Sequence, residues 1–418
     1  MQNIVIVGAS LAGTRAAETL RSNGFAGIIT MVGAEAHMPY DRPPLSKNYL
    51  AGDWDEERVA LRKPEALEEL NLTWKLGVAA SGLDTAAKTL TLANGETLTY
   101  DGLIIATGGD VRRLPNQPDI AGIHTLRTLA DATALRDEIT DGAHVVVVGA
   151  GFIGLEAAAT AKKRGADVTV LEGLEAPLIR AMGAETGAAI GAVHERNGVV
   201  VRCNVQVASI DGDTRVKSVT LSNGDVIPAD VVIVGIGVSP ATTWLEKSGL
   251  TLRDGVVCNA NLCAGPEAVF VAGDVLRWPN ALFADVEADM RVEHWTNAAE
   301  QGAHAATNLL AALNSTEQTP YSAVPFFWSD QFDARIQCLG RPSANAVVDV
   351  VAGNPADGKW CAMYSVNNRL TAVLGVSQPK LVMPSRALLS THTSREDALA
   401  HFARVTAPPP PAPPTSAA

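Results

Sequence analysis

Two stretches of this chain, "NIVIVGASLAGTRAAETLRSNG" from Asn3 and "HVVVVGAGFIGLEAAATAKKRG" from His144, share one pattern: apolar strand, glycine turn, alanine-rich helix. Each is followed by a second apolar strand, "GIITMVGAE" ending at Glu35 and "ADVTVLEG" containing Glu172. Such strand–helix–strand units join parallel strands, because the chain needs a helix's length to return alongside the strand it left. Recurrence after roughly 140 residues means two βαβ folds of one kind, since solenoid repeats are far shorter.

Composition supports this size of architecture. The chain has 418 residues, 47% hydrophobic and 19% charged, enough for two or three domains with cores of their own. A net charge of −12 excludes general nucleic-acid binding, which needs a basic surface. The most membrane-like run, "VVVVGAGFIGLEAAATA", is interrupted by Glu156 and three glycines and reads as a buried strand and packed helix. No positively charged leader precedes the first strand. The cysteines Cys203, Cys258, Cys263, Cys338 and Cys361 are few and odd in number, as in a reducing cytosol. A cytoplasmic protein that avoids membranes is expected.

Further apolar strands end in glycine turns. "YDGLIIATGG" closes the first unit, "ADVVIVGIGVSP" closes the second, and "AVFVAGDV" follows. From Tyr321 short alternating strands such as "RIQCLG", "WCAMYSV" and "RLTAVLGV" predict an antiparallel sheet, with "SREDALAHFAR" as its closing helix. The expected division is 1–109 and 238–320 as one fold in two pieces, 110–237 inserted between them, 321–405 as an α+β C-terminal domain, and 406–418 as a disordered Pro-rich tail.

The second turn reads Gly149-x-Gly151-x-x-Gly154, the intact dinucleotide fingerprint. Its glycines allow a tight turn, close approach of a pyrophosphate to backbone N–H groups, and close helix–strand packing. Glu172 closes the next strand, where an acid accepts hydrogen bonds from an adenosine ribose. The first turn keeps Gly8 and Gly13 but carries Ser10 in the middle, with Glu35 in the ribose position. Serine is a small replacement that leaves the approach open, and its hydroxyl can itself bond a phosphate oxygen.

Two such folds, with "LIIATGG" between them and "AVFVAGDV" after them, resemble the two-dinucleotide-domain flavoproteins of the pyridine nucleotide–disulfide oxidoreductase superfamily. The resemblance implies FAD on the first fold and NAD(P)H on the inserted one. Asp274 matches the aspartate that binds the ribityl chain of FAD, and the turns at Thr107, Gly108 and Gly237 belong with the cofactor-binding positions. Disulfide reductases of the superfamily need a cysteine pair beside the flavin, and "HMPYDRPPLSKNYL" holds no cysteine. Cys258 and Cys263 stand too far along the chain and read as incidental.

"PYDRPPLSK", Pro39 to Lys47, resembles the NADH-dependent ferredoxin and rubredoxin reductases that serve oxygenases and cytochromes P450. The resemblance places Arg42 near the FAD diphosphate and Lys47 near the isoalloxazine, where a cation offsets negative charge on the reduced flavin. It pairs Lys47 with Glu156. "VEHWTNAAEQG" resembles the segment that points a helix N-terminus at the flavin, with Trp295 beside the ring. Trp328, in "PFFWSDQF", reads equally as core or as site, and His294 stands no closer than behind the site, since hydride transfer needs no protein acid. No residue cluster has metal-ligand spacing. Lys47, Glu156 and Trp295 are thus the expected catalytic residues, NADH the donor, and a small ferredoxin or rubredoxin the acceptor. A quinone or radical reductase and a redox-gated binding flavoprotein remain the alternatives, and monomer and homodimer are both open.

Overall fold

The computed structural model describes residues 2–265 and 268–407. Two five-stranded parallel sheets have the same spatial order. In the first, Val269–Val271, Gly102–Ile105, Asn3–Val7, Ile28–Gly33 and Thr73–Leu76 lie side by side. In the second the order is Ile123–His124, Val231–Val234, His144–Val148, Asp167–Leu171 and Val200–Arg202. Central strands such as "IVIV" and "VVVV" are buried on both faces, as β-branched runs in a helix-covered parallel sheet must be. Each sheet is accompanied by a three-stranded antiparallel sheet, Ala80–Thr99 in the first fold and Val207–Pro228 in the second. The fold is therefore α/β with two Rossmann-like units. The chain crosses between them at one place, where Gly109–Val111 pairs antiparallel with Val238–Pro240.

The C-terminal sheet is antiparallel, in the order Phe326–Gln331, Ala334–Gly340, Arg369–Val376, Lys359–Val366, Val347–Asn354. Helix Arg395–Thr406 closes it and reaches one residue into the expected tail. The remainder of that tail, from residue 408, lies outside the described residues. Among the described residues no helix is long and apolar enough to cross a membrane.

The two glycine turns explain what each glycine does. Gly8 and Gly149 have φ of +120° and +102°, and a Cβ on either would lie 2.1 Å or 2.5 Å from a carbonyl oxygen of the neighbouring strand's turn. A Cβ at Gly13 or Gly154 would strike the carbonyl of Gly8 or Gly149 at 2.0 Å and 2.3 Å. These four positions close the turn and seat the helix. At Gly151, by contrast, a Cβ would meet nothing within 4 Å. The middle position is sterically free in the protein itself, so Ser10 costs the first fold nothing there.

Helix Leu11–Ser22 lies against helix Trp295–Leu313 through small residues, and a Cβ at Gly302 would stand 2.2 Å from the carbonyl oxygen of Ala12. Backbone cannot yield as a side-chain tip can. Gly302→Ala should therefore destabilise by about 2–3 kcal/mol, despite alanine's better helix propensity. Thermal or denaturant unfolding with a clearly lowered midpoint is the expected result.

Candidate active site

Three helices bring uncapped N-termini to one region. Leu11–Ser22, Phe152–Lys163 and Trp295–Leu313 begin after Ser10, Gly151 and His294, none of which caps its helix with a side chain. None of the three carries an acidic residue in its first turn. Two of the longer helices elsewhere close their own ends, as Thr128 forms a capping box with Asp131 and Ser394 accepts from the Asp397 N–H, while Ala184–Arg196, without a side-chain cap, carries Glu185 in its first turn. Free N–H groups with the positive end of the helix dipole are suited to an anionic ligand.

These ends face adjoining cavities. One, of about 280 Å³, is lined by Ser10, Arg42, Lys47, Glu156, Asp274 and Trp295, with Thr107 and Gly108 at its wall. A second, of about 330 Å³, continues from it past Gly8 and Glu35 and shares Ser10, Arg42 and Thr107. A third, of about 600 Å³, runs over Gly149, Gly151, Gly154, Glu172 and Gly237. It meets the first at Arg127, Phe152, Ile153 and Asp274. Of the expected site residues only Gly13 lines none of the three; its work is packing.

The acids are held in place. Both carboxylate oxygens of Glu172 accept from backbone, from the Ala150 N–H at 2.9 Å and the Leu174 N–H at 3.0 Å. Glu35 accepts from the Tyr40 hydroxyl and, at 2.6 Å, from Arg42. Arg42 also donates to the Arg127 carbonyl at 2.5 Å, tying "PYDRPPLSK" to the start of the inserted fold. Asp274 pairs with Arg127 at 3.1 Å. Neither Tyr40 nor Arg127 was singled out by sequence, because their meaning lies in contacts made far along the chain.

Lys47 and Glu156 form a salt bridge of 2.5 Å in which the side chains keep 14% and 6% of their exposure. The Ser46 hydroxyl donates to the same Glu156 oxygen at 2.5 Å. At the mouth, the Trp295 indole donates to Asp41 at 2.6 Å, and burial raises the pKa of Asp41 against that bond. Trp295 meets Trp328 edge-on at 6.1 Å, and Phe326 stacks on Trp328 at 6.1 Å. Trp328 lines the cavity and is not a core residue. The pKa of His294 is pushed down to about 3, first by burial and then by the charge of Arg341, so the ring is neutral at neutral pH and is no general acid. No cysteine lines any of these cavities among the described residues. Burial raises the thiol pKa values of Cys258, Cys338 and Cys361.

The profile of pyridine nucleotide-disulphide oxidoreductases matches residues 2–302, and that of the reductase C-terminal domain matches residues 326–403. The chain belongs to the pyridine nucleotide-disulphide oxidoreductase family. Within that family it is 38% identical over 391 residues to rhodocoxin reductase of Rhodococcus erythropolis, covering 93% of this chain and 90% of the relative. A ferredoxin–NAD(P)(+) reductase of a Sphingomonas species is 36% identical over 389 residues, covering 93% and 92%. Among solved structures, the covalent putidaredoxin reductase–putidaredoxin complex contains a chain that superposes with a TM-score of 0.89 at 30% identity, covering 97% and 98%.

The residues present fit FAD and a nicotinamide dinucleotide: each glycine turn opens its helix end toward a cavity, and the position at Gly151 is kept empty by the absence of a side chain. Gly151→Ala should unfold within about 0.5 kcal/mol of the parent, since nothing is struck. Its Kd for NADH, measured by calorimetry, should nevertheless rise about tenfold or more, roughly 1.4 kcal/mol, as the methyl occupies diphosphate space and, unlike the Ser10 hydroxyl in the first fold, offers no hydrogen bond in return.

Proposed function

We propose that this protein passes electrons from NADH through FAD to a small iron–sulfur ferredoxin or rubredoxin that serves an oxygenase or a cytochrome P450. One observation carries the reading: the nucleotide trough of the inserted fold runs into the Lys47–Glu156 cavity, whose outer rim is aromatic and whose walls, among the described residues, hold no cysteine. Bound FAD supplies the chemistry that the side chains lack, since it accepts two electrons as a hydride and returns them singly.

The chain's own residues bind, orient and shield. Helix ends after Ser10 and Gly151 hold the two diphosphates, and Glu35 and Glu172 hold the adenosine riboses. Asp274 takes the ribityl chain, with Arg127 beside it as the cation shared by both troughs. Phe152 and Ile153, at the meeting of the troughs, seat the nicotinamide and exclude water there. Lys47, fixed by Glu156, places its ammonium where negative charge accumulates on the ring system, and the Trp295 helix adds its positive end. Trp295, 37% exposed, lies where an acceptor can approach. The cysteines are sparse, and Cys203, Cys258, Cys338 and Cys361 are free thiols, which accords with a cytoplasmic setting.

Not every cation of the C-terminal domain is open to an acidic acceptor. Arg341 is engaged by Glu287 at 2.9 Å, whereas Arg335 stands 3.8 Å from Asp330 and is largely exposed. Contact through the aromatic rim thus outweighs steering by charge. NADH-driven reduction of an added ferredoxin should fall about tenfold or more in kcat/KM for Trp295→Ala, with flavin reduction by NADH little changed. Raising the salt from 0.05 to roughly 0.5 M should alter the ferredoxin rate only severalfold. Rapid quinone reduction, with no gain from any ferredoxin, would favour the small-molecule reductase instead.

Coenzyme choice follows from Glu172. Its carboxylate, pinned by two N–H groups, cannot swing aside, and a 2′-phosphate at about 5 Å and an effective dielectric of about 20 meets repulsion of a few kcal/mol. NADPH should support kcat/KM roughly tenfold to a thousandfold below NADH. Glu172→Ala should narrow that gap, and equal wild-type rates with both coenzymes would remove Glu172 from this role.

A further inference from the structure

Three polar side chains extend from Glu156 away from the cavity, and none of them lines it. The Ser329 hydroxyl, on strand Phe326–Gln331, donates to Oε1 of Glu156 at 2.6 Å. The Gln331 amide donates to the Ser329 oxygen at 3.0 Å. Gln331 Oε1 then stands 2.8 Å from Nε2 of His194, on helix Ala184–Arg196 of the inserted fold. Ser329 is 1% exposed, Gln331 and His194 0%.

Valence fixes the direction of every bond. A carboxylate only accepts, so the single O–H of Ser329 goes to Glu156 and its oxygen receives the Gln331 N–H. The carbonyl of Gln331 therefore faces His194, which must carry its proton on Nε2. Burial lowers the pKa of His194, so the ring is neutral and its Nδ1 is left without a partner. Three donors in series thus aim at one carboxylate oxygen, while Lys47 and Ser46 hold the other.

The surroundings give no packing reason for such residues. The neighbourhood is an apolar cluster that includes Leu155, Ala158, Val193, Ala334 and Ile336, and Phe332 packs edge-on against His194 at 5.2 Å. Leucine or phenylalanine would fill these positions without polar atoms to satisfy. Polar side chains linked end to end in such a place polarise one another and hold a single geometry.

We propose that Ser329, Gln331 and His194 are positioning residues for Glu156: they fix its carboxylate so that Oε2 alone faces Lys47, and so keep the ammonium aimed into the flavin cavity. The inference rests on the reading that FAD occupies that cavity. Without Ser329, Oε1 of Glu156 loses its donor, and the carboxylate can turn about its remaining bonds to Ser46 and Lys47 and draw Lys47 from its place.

The test uses the FAD-loaded protein with Ser329→Ala, Gln331→Leu, His194→Leu and His194→Gln. The midpoint potential of the flavin is titrated with a chemical reductant, and flavin reduction by NADH is followed by stopped flow. Ser329→Ala and Gln331→Leu should shift the reduction equilibrium about tenfold toward oxidised flavin, about 30 mV for a two-electron couple. They should slow the limiting rate about tenfold, with NADH affinity within about twofold. His194→Gln keeps an N–H for Gln331 and should lie near the parent, whereas His194→Leu should resemble Gln331→Leu. In a Glu156→Gln background, Gln331→Leu should add nothing, because its effect passes through Glu156. Parental potentials in Ser329→Ala and Gln331→Leu, or full additivity with Glu156→Gln, would overturn the relay. A parent protein that binds no FAD would instead overturn the reading beneath it, and the potential decides the relay even if NADH is not the donor.

Discussion

A lysine and a glutamate enclosed together must have nearly every lone pair and proton engaged, because desolvating two charges costs several kcal/mol per ion even in a real protein. Lys47 and Glu156 impose that requirement on this fold. Lys47 comes from the loop after Pro43–Ser46, Glu156 from helix Phe152–Lys163, and the remaining donor, Ser329, from the C-terminal sheet. The Thr160 hydroxyl, one turn along the same helix, adds a bond of 2.7 Å to the Ser46 carbonyl. Three parts of the chain that fold around separate sheets are thereby bound to one carboxylate. The floor of the cavity is as rigid as that carboxylate's coordination.

The helix ends divide along the same line. Helix Leu129–Glu138, which lines none of the cavities, has its N-terminus closed by Thr128 and Asp131. Where a helix meets a cavity, the closing side chain is missing and the first turn is free of acids. The unsatisfied N–H groups of those helices are the reason the cavities select anions, and they cost stability until a ligand meets them.

What could be read from the sequence was what depends on local spacing. The glycine turns, their helices and the acids Glu35 and Glu172 follow from residues close together in the chain, and the α/β class followed from finding the unit twice. The meaning of Ser10 needed the structure, because only there is the middle position seen to be sterically free while its neighbours are not. Lys47 and Glu156 were paired through family resemblance alone, since nothing in either segment announces the other. Arg127, Asp41, Ser329, Gln331 and His194 carried no local signal. Each acquires its part through a partner that the fold brings near, as when Asp41 receives the Trp295 indole. Trp328 was ambiguous for a related reason, as an aromatic in a strand serves core and rim equally well until its neighbours are known.

The pairing of Gly109–Val111 with Val238–Pro240 places the entry and the exit of the inserted fold side by side. A fold held on one such stem is a cassette, and its coenzyme preference is in principle exchangeable without disturbing the sheet that carries it. Glu156 and His194 limit that freedom, for both lie inside the cassette while their partners lie outside. An exchanged cassette that lacked them would leave Lys47 a buried cation without its anion. A cassette exchanged into this chain therefore has to supply both residues along with its nucleotide contacts.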